Sequence, residues 1–319
     1  MTASALDTRI RSLRPPKPHV DPYTAHGSLI EDERRPDGRI ERALTIFLAG
    51  AECPFTCSFC DLWRWTIDGP TPAGAIAKQV RDTLETSLPA ARLKLYNASN
   101  FFDRRAVPDE DLDALVDLAR PFAGVTVESH ARTIGDATLN FAKRLRGGAR
   151  LEVAIGLETI HPEATRNLNK RLDLERFDHA ASFLRDNDID LRVFVLLGAP
   201  YVPPDESVDW TVRTVEYAAQ RGADVVSIIP VRGGNGELER LQSVGHFTPP
   251  TLAQLERALD RSLALARGTT VVTADVWDAD RLPACDHCVA ERIDRLRRLN
   301  IMGTAEERMD CFACEGGGH

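Results

Sequence analysis

Six apolar segments rich in β-branched residues recur along this chain, at 43–50, 92–97, 124–129, 151–156, 191–197 and 224–230. Between them lie stretches near 73–87, 108–120, 136–147, 175–188 and 205–221, whose apolar residues carry the spacing of helices with one buried face. Strand followed by helix, repeated, predicts βα units joined by right-handed crossovers, and therefore a parallel sheet. Six such units make three-quarters of a TIM-like barrel, so the expected fold class is α/β, a partial (β/α)6 barrel. A chain of 319 residues, 43% of them hydrophobic, can bury such a core with appendages to spare. Working groups of parallel α/β barrels sit at the C-terminal ends of strands. The residues following each segment are accordingly the ones to inspect.

The first segment runs into Cys53, Cys57 and Cys60, spaced Cys-x3-Cys-x2-Cys. Three thiolates on one short loop can hold three irons of a 4Fe–4S cluster. The fourth iron then lacks a protein ligand, and an open metal position is where chemistry happens. A structural zinc knuckle is the other reading. Zinc sites pair their cysteines and need a fourth ligand nearby, yet no cysteine or histidine follows until His130.

This loop resembles the signature of the radical S-adenosylmethionine (SAM) superfamily. The resemblance implies that the amino and carboxylate groups of SAM chelate the open iron. The reduced cluster then splits the sulfonium into methionine and a 5′-deoxyadenosyl radical. Phe59 stands where the family has an aromatic against the adenine. After the second segment, Asn97 to Asn100 occupy the place of a family Gly-Gly-Glu stretch that binds the methionine amino group through backbone carbonyls. Asn97 and Ser99 are the cofactor candidates there. Glu128, at the end of the third segment, accepts from the cofactor ribose or ammonium, or pairs with Arg132. His130 reads as a satisfied loop residue.

Further along, Ala154-Ile155-Gly156-Leu157-Glu158-Thr159 precedes Asn169-Lys170-Arg171. This is similar to a segment of the methylthiotransferase, elongator-type and coproporphyrinogen-dehydrogenase-like branches. It implies that Glu158 faces cofactor or substrate and that Lys170 or Arg171 reaches the methionine carboxylate. Glu158 and Glu128 are therefore the catalytic candidates. The fifth segment resembles the strand flanking the adenine, where Gly198 permits close approach. The Gly-Gly-Asn-Gly loop at 233–236 is expected to face the substrate. Over roughly residues 43 to 315 several stretches look most like the radical subunit of archaeosine synthase. They are Asn97-x-x-x-Phe101-x-Asp103, Val127-Glu128-Ser129, Ala154 to Thr159 with Asn169-Lys170, and Gly222 to Pro230. That family modifies a base in transfer RNA with a lysine-transferring partner.

The remaining cysteines form two Cys-x2-Cys pairs, Cys285/Cys288 and Cys311/Cys314. Paired in this way they fit zinc, and equally an auxiliary 4Fe–4S cluster. His287 and His319 are substitute ligands. Between the pairs, Glu291 to Leu299 reads as a basic helix with a solvated face.

The expected organisation is an arm at 1–42, solvated and lying over the barrel, the barrel at 43–267, and a metal-binding extension at 268–319. The extension follows a helix at 250–267 and begins with an extra strand near 269–276. Net charge is −8, with a pI near 5.6, which disfavours general binding to nucleic acid. Were transfer RNA the substrate, its phosphates would meet Arg292, Arg295, Arg297 and Arg298, helped by Arg9, Arg11 and Arg14. No apolar run reaches membrane-spanning length, so no membrane insertion is expected. Clustered cysteines suit metal in a reducing cytoplasm.

The function expected is hydrogen abstraction from a small or moderate-sized organic substrate, with an electron donor such as a ferredoxin or flavodoxin. Archaeosine-synthase-like modification of transfer RNA is the first alternative. A non-catalytic iron–sulfur or zinc adaptor is the second.

Overall fold

In a computed structural model that describes residues 4–265, 270–308 and 311–315, the expected alternation is realised. Helix α1 (Ala5–Leu13) and strand β1 (Gly27–Arg34) precede β2 (Ile40–Phe47). There follow α2 (Ala75–Thr86), β3 (Arg92–Tyr96), α3 (Asp109–Ala119), β4 (Gly124–Glu128) and α4 (Asp136–Leu145). Next come β5 (Arg150–Glu158), α5 (Pro162–Asn167), α6 (Leu174–Asp186), β6 (Asp190–Leu197), α7 (Ser207–Gln220) and β7 (Val225–Pro230). The remainder is α8 (Glu237–Ser243), α9 (Leu252–Leu265), β8 (Val271–Ala274), α10 (Val289–Met302) and the short α11 (Phe312–Glu315). The boundary expected between 267 and 268, with Arg267 and the start of the extra strand at 269, lies outside the described residues, as does His319.

The eight strands form one sheet in sequence order. Strands β2 to β8 are parallel, each pair separated by at least one helix, and β1 is antiparallel to β2. The result is a partial TIM-like barrel with an added hairpin strand at one edge and β8 at the other.

Two expectations need correction. Residues 4–42 are more than a solvated arm. Ser4 and Asp7 form a capping box that starts α1, and Asp7 and Ile10 on that helix are buried. Strand β1 then pairs residue for residue with β2, which already begins at Ile40.

The second correction concerns the basic helix, now α10. Arg292 and Arg295 turn inward, pairing with Glu256 and Asp260 of α9, and Arg295 is 0% exposed. Helix α10 packs against both edge strands, β1 and β8, and so stands across the gap in the barrel wall. Its Asn300 side chain bonds both the N–H and the carbonyl of Ala274 at 2.8 Å, covering backbone groups that an edge strand would leave open.

The main apolar core lies between the sheet and the helices. Leu44, Leu93, Val125, Val153, Val193 and their neighbours meet Leu115, Phe141 and Leu184 there. The opposite face of the sheet lines the lumen, and it is charged. Thr45, Lys94, Thr126 and Glu152 stand side by side in register across β2 to β5. Glu152 is 0% exposed. Its carboxylate accepts from Arg35 (3.0 Å), Arg192 (2.8 Å) and Thr126 (2.9 Å), with Arg92 at 3.9 Å. Lys94 bridges Glu31 and Glu33 at 2.6 Å each, and Arg192 reaches Glu33 at 2.9 Å. Burial opposes the charge of Glu33, yet Arg192 and Lys94 outweigh it and draw its pKa down to about 2.

A buried charge without partners is costly. Glu152→Gln leaves Arg35, Arg92 and Arg192 short of one negative charge and should cost about 3–5 kcal/mol of stability. The check is a lower urea midpoint at unchanged slope. A loss under about 1 kcal/mol would mean that water already screens the lumen floor.

Candidate functional site

The three cysteines follow β2 at its C-terminal end, on a loop held from four directions. Asn169 Nδ2 donates to Thr56 O (2.9 Å), Thr56 Oγ1 (2.8 Å) and Asp7 Oδ1 (3.0 Å). Thr56 Oγ1 itself donates to Asp7. Asn235 Nδ2 donates to the carbonyls of Ser58 (2.9 Å) and Cys60 (3.3 Å), and Ser58 N–H donates to Leu168 O (2.9 Å). Phe59 packs into a small second apolar cluster with Leu196, Ala199 and Val231. Asp7 also takes an ion pair from Arg171 at 2.6 Å. Hydrogen bonds, from Thr56 first, hold the Asp7 carboxyl well below the usual carboxylate range despite burial.

The three cysteines are half-buried. Burial pushes the Cys57 thiol up to about 12, and Cys53 and Cys60 move in the same direction. Bare, such thiols stay protonated at neutral pH; a coordinated metal deprotonates them outright. Asn100 Nδ2 lies 3.5 Å from Cys53 Sγ, and its Oδ1 accepts from the His130 N–H at 2.7 Å. The ring of Phe55 stacks on His130 with centroids 4.2 Å apart.

At the mouth of β5, Lys170 Nζ pairs with Glu158 Oε1 at 2.6 Å. Burial opposes the Lys170 charge, but Glu158 and the nearby thiols outweigh it and keep its pKa above the ordinary lysine value. Lys170 Nζ also lies 5.9 Å from the centre of the Phe59 ring. A Cβ at Gly156 would collide with the Glu158 carboxylate and the Lys170 ammonium, so a glycine in mid-strand makes room for the pair. Glu158, Ala98, Asn169 and Arg171 all adopt positive φ, between 53° and 68°. Left-handed conformations in non-glycine residues are uncommon and gather at functional sites.

Glu128 does not pair with Arg132, whose guanidinium donates instead to Arg171 O at 2.9 Å. It accepts from the N–H groups of Asn97 and Ala98 at 2.8 Å each. Burial raises its pKa to about 7 against those two donors. His130 is neutral: Nε2–H donates to Lys170 O (3.0 Å) and Nδ1 accepts from the Arg132 N–H (3.1 Å). Burial, then the Lys170 charge, lowers its pKa to about 3.

The structure thus brings Phe59, Asn97, Glu128, Glu158 and Lys170 around the cysteine loop through these contacts. Asn97 Nδ2, Ser99 Oγ and Ser58 Oγ are buried without a protein partner, which fits a polar cofactor bound alongside. Arg171 is engaged by Asp7. The side on which Gly198 lacks a Cβ is filled by Pro250, so the close approach it permits is to that ring. The Gly-Gly-Asn-Gly loop, expected to face substrate, fastens the cysteine loop through Asn235.

Asp7 and Thr56 escaped the sequence reading, since each acts through a partner distant in the chain; Asn100 and Asn235 lay in stretches it singled out, but their contacts to Cys53, His130 and the cysteine-loop carbonyls were not foreseen. The tail brings Cys285, Cys288, Cys311 and Cys314 together as one group able to hold a metal.

No protein-family model and no curated protein matches the sequence. Among solved structures, the chain is similar to a radical SAM methyltransferase from Sphaerobacter thermophilus, with TM-score 0.50 and 16% identity, over 85% of this chain and 82% of that one. It is also similar to archaeal Elp3 from Methanocaldococcus infernus lacking residues 1–46, with TM-score 0.49 and 15% identity, over 63% of this chain. A third similar structure is coproporphyrinogen III oxidase from Escherichia coli, a radical SAM enzyme, with TM-score 0.45 and 18% identity, over 68% of this chain. The chain spans about half the length of the latter two, 52% and 50% respectively. The Sphaerobacter likeness shows a shared fold.

Glu128 and His130 give opposite pH dependences in one window. Folding raises the Glu128 pKa from 4.5 to about 7, so its contribution is lost as pH rises through that interval. Folding lowers the His130 pKa from 6.5 to about 3, so its contribution is lost as pH falls below 6.5. Between about pH 4.5 and 6.5 the two slopes, each at most about 1.4 kcal/mol per pH unit, oppose one another. Relative to the unaltered chain, His130→Asn should gain stability on acidification and Glu128→Gln should lose it. Urea unfolding at several pH values reads both, and identical pH profiles for all three proteins would contradict the burial of these groups.

Proposed function

We propose that this chain is a radical SAM enzyme, with one 4Fe–4S cluster on Cys53, Cys57 and Cys60 and SAM bound against it at the barrel mouth. The observation that carries this reading is the cysteine loop itself. Three half-buried thiols, in the signature spacing, leave the C-terminal end of the first parallel strand of a barrel of the matching fold. When bound, the cluster supplies the electron that cleaves SAM to methionine and a 5′-deoxyadenosyl radical, which takes hydrogen from an organic substrate.

The protein's own residues supply position and charge. Lys170, fixed by Glu158, retains two further N–H donors for an anionic group such as a carboxylate. Phe59 offers an aromatic face beside that ammonium. Glu128, balanced near neutral pH, can hold or release a proton at the same mouth. Asn97 and Ser99 contribute unpartnered polar atoms. Glu158, Glu128, Phe59, Asn97, Ser99 and Lys170 are therefore the proposed pocket residues. In this reading residues 43–267 carry the chemistry, 1–42 fasten the loop, and 268–319 form the metal-binding extension.

The half-buried lumen positions Phe47, Tyr96, Phe194 and Ile229, above the charged floor, suit an organic substrate of small or moderate size. A transfer RNA reading loses support, because several of its expected phosphate contacts are already paired with carboxylates. Arg9 pairs with Glu237, Arg11 and Arg14 with Glu52, and Arg292 and Arg295 with Glu256. Among the described residues no helix is long and apolar enough to cross a membrane. The proposed electron donor is a ferredoxin or flavodoxin, in a reducing cytoplasm.

Anaerobic Cys57→Ala should lose the cluster absorption and release no 5′-deoxyadenosine under reduction; release from that variant sinks the proposal. Glu158→Gln should keep the cluster and weaken SAM binding tenfold to a hundredfold, equivalent to about 1.5–3 kcal/mol. Unchanged binding would assign Glu158 to the fold alone. Filter binding of bulk transfer RNA should be weak at moderate salt; submicromolar binding that falls steeply with salt would restore the RNA substrate.

A further inference from the structure

The four tail sulfurs stand close together. Each Sγ of Cys285, Cys288, Cys311 and Cys314 lies within 4.8 Å of the other three, and Cys288 and Cys314 are 3.7 Å apart. In a tetrahedral zinc tetrathiolate every sulfur hangs on one ion at about 2.3 Å, which sets neighbouring sulfurs about 3.8 Å apart. In a 4Fe–4S cubane each thiolate hangs on its own iron and points away from the cluster. The body of the cubane then adds to two iron–sulfur bonds between any pair of ligands. The signature cysteines Cys53, Cys57 and Cys60 do not form such a group, with all sulfurs within 4.8 Å of one another. Within one chain, the two cysteine sets have different shapes.

We infer that the tail holds a single zinc ion in a closed, tetrahedral site of four cysteines that acts as a structural staple, and that it holds no second iron–sulfur cluster. Both Cys-x2-Cys turns are already wound for this. Cys288 N–H donates to Cys285 O at 3.2 Å, and Cys314 N–H donates to Cys311 O at 2.9 Å. Four protein ligands leave no open position for substrate or electron-transfer chemistry. Four thiolates on a divalent ion carry two net negative charges, and a cation stands beside them. Arg292 Nε lies 3.0 Å from Cys288 Sγ and its Nη2 3.7 Å from Cys314 Sγ, while its Nη1 pairs with Glu256 at 2.6 Å. His287 faces the ring of Phe312, with centroids 5.6 Å apart, and is not a member of the group.

Location explains what the staple does. Cys288 is the N-cap of α10, the helix across the gap between β1 and β8. The ion therefore ties the start of that helix to the 311–315 segment. This inference is independent of the radical chemistry proposed above.

The test uses the full chain with Cys53, Cys57 and Cys60 all replaced by Ala, exposed anaerobically to iron and sulfide. The expected result is one zinc per chain and no iron–sulfur absorption. Iron and sulfide at about four each per chain would overturn the proposal. Should that variant fail to fold, zinc-edge X-ray absorption on the unaltered chain decides the question. Four sulfur neighbours at about 2.3 Å are expected, and absence of zinc overturns the assignment. Cys285→Ser with Cys314→Ser should then lose the zinc, keep the signature-cluster absorption and lower the melting temperature. Zinc retained at full stoichiometry in that double variant would also overturn it.

Discussion

One buried carboxylate sets terms for the whole barrel. Glu152 is wholly enclosed, and its charge is tolerable only while cations from elsewhere in the sheet converge on it. Arg35 comes from the turn between β1 and β2, Arg92 from β3, and Arg192 from β6. Strands that far apart in the sheet can reach one point only if the sheet curls. The ion pairs therefore select curvature, and a flat arrangement would strand several charges in apolar surroundings. Curvature in turn brings the C-terminal ends of β2, β3, β4 and β5 to one mouth, where the cysteine loop, Asn97, Glu128 and Glu158 meet.

The mouth depends on a second, smaller knot. Asp7 accepts from Thr56 on the cysteine loop and from Asn169 and Arg171 on the loop after α5. Three segments far apart in the chain are thereby held at one carboxylate. Asn169 and Arg171 both occupy left-handed backbone positions; asparagine accepts that conformation readily, whereas at Arg171 tertiary contacts must maintain it. Lys170, between these two residues, is presented to Glu158 as a consequence.

Legibility in the sequence followed the kind of signal each part carries. The cysteine loop stood out because it sets one residue type at a fixed, short spacing. The parallel strands β3 to β7 could be read because their apolar runs are flanked by helical periodicity. Strand β1 could not: its lumen positions are Glu31 and Glu33, so the apolar alternation that marks a strand is absent, and its partner Lys94 lies on another strand. The inward turn of Arg292 and Arg295 escaped for the same reason, since their acidic partners are on α9. Arg171 looked like a ligand for a carboxylate and does bind one, but that carboxylate belongs to Asp7.

The position of α10 also bears on the order of assembly. All eight strands precede it in the chain, so the sheet leaves the ribosome before the helix that stands between its edges. The contacts it makes with β1 join residues separated by most of the sequence, the kind of closure that comes late and slowly. Until then the barrel wall has an open seam between β1 and β8. A nascent chain thus passes through a stage in which the sheet is complete but its two edges are not yet joined.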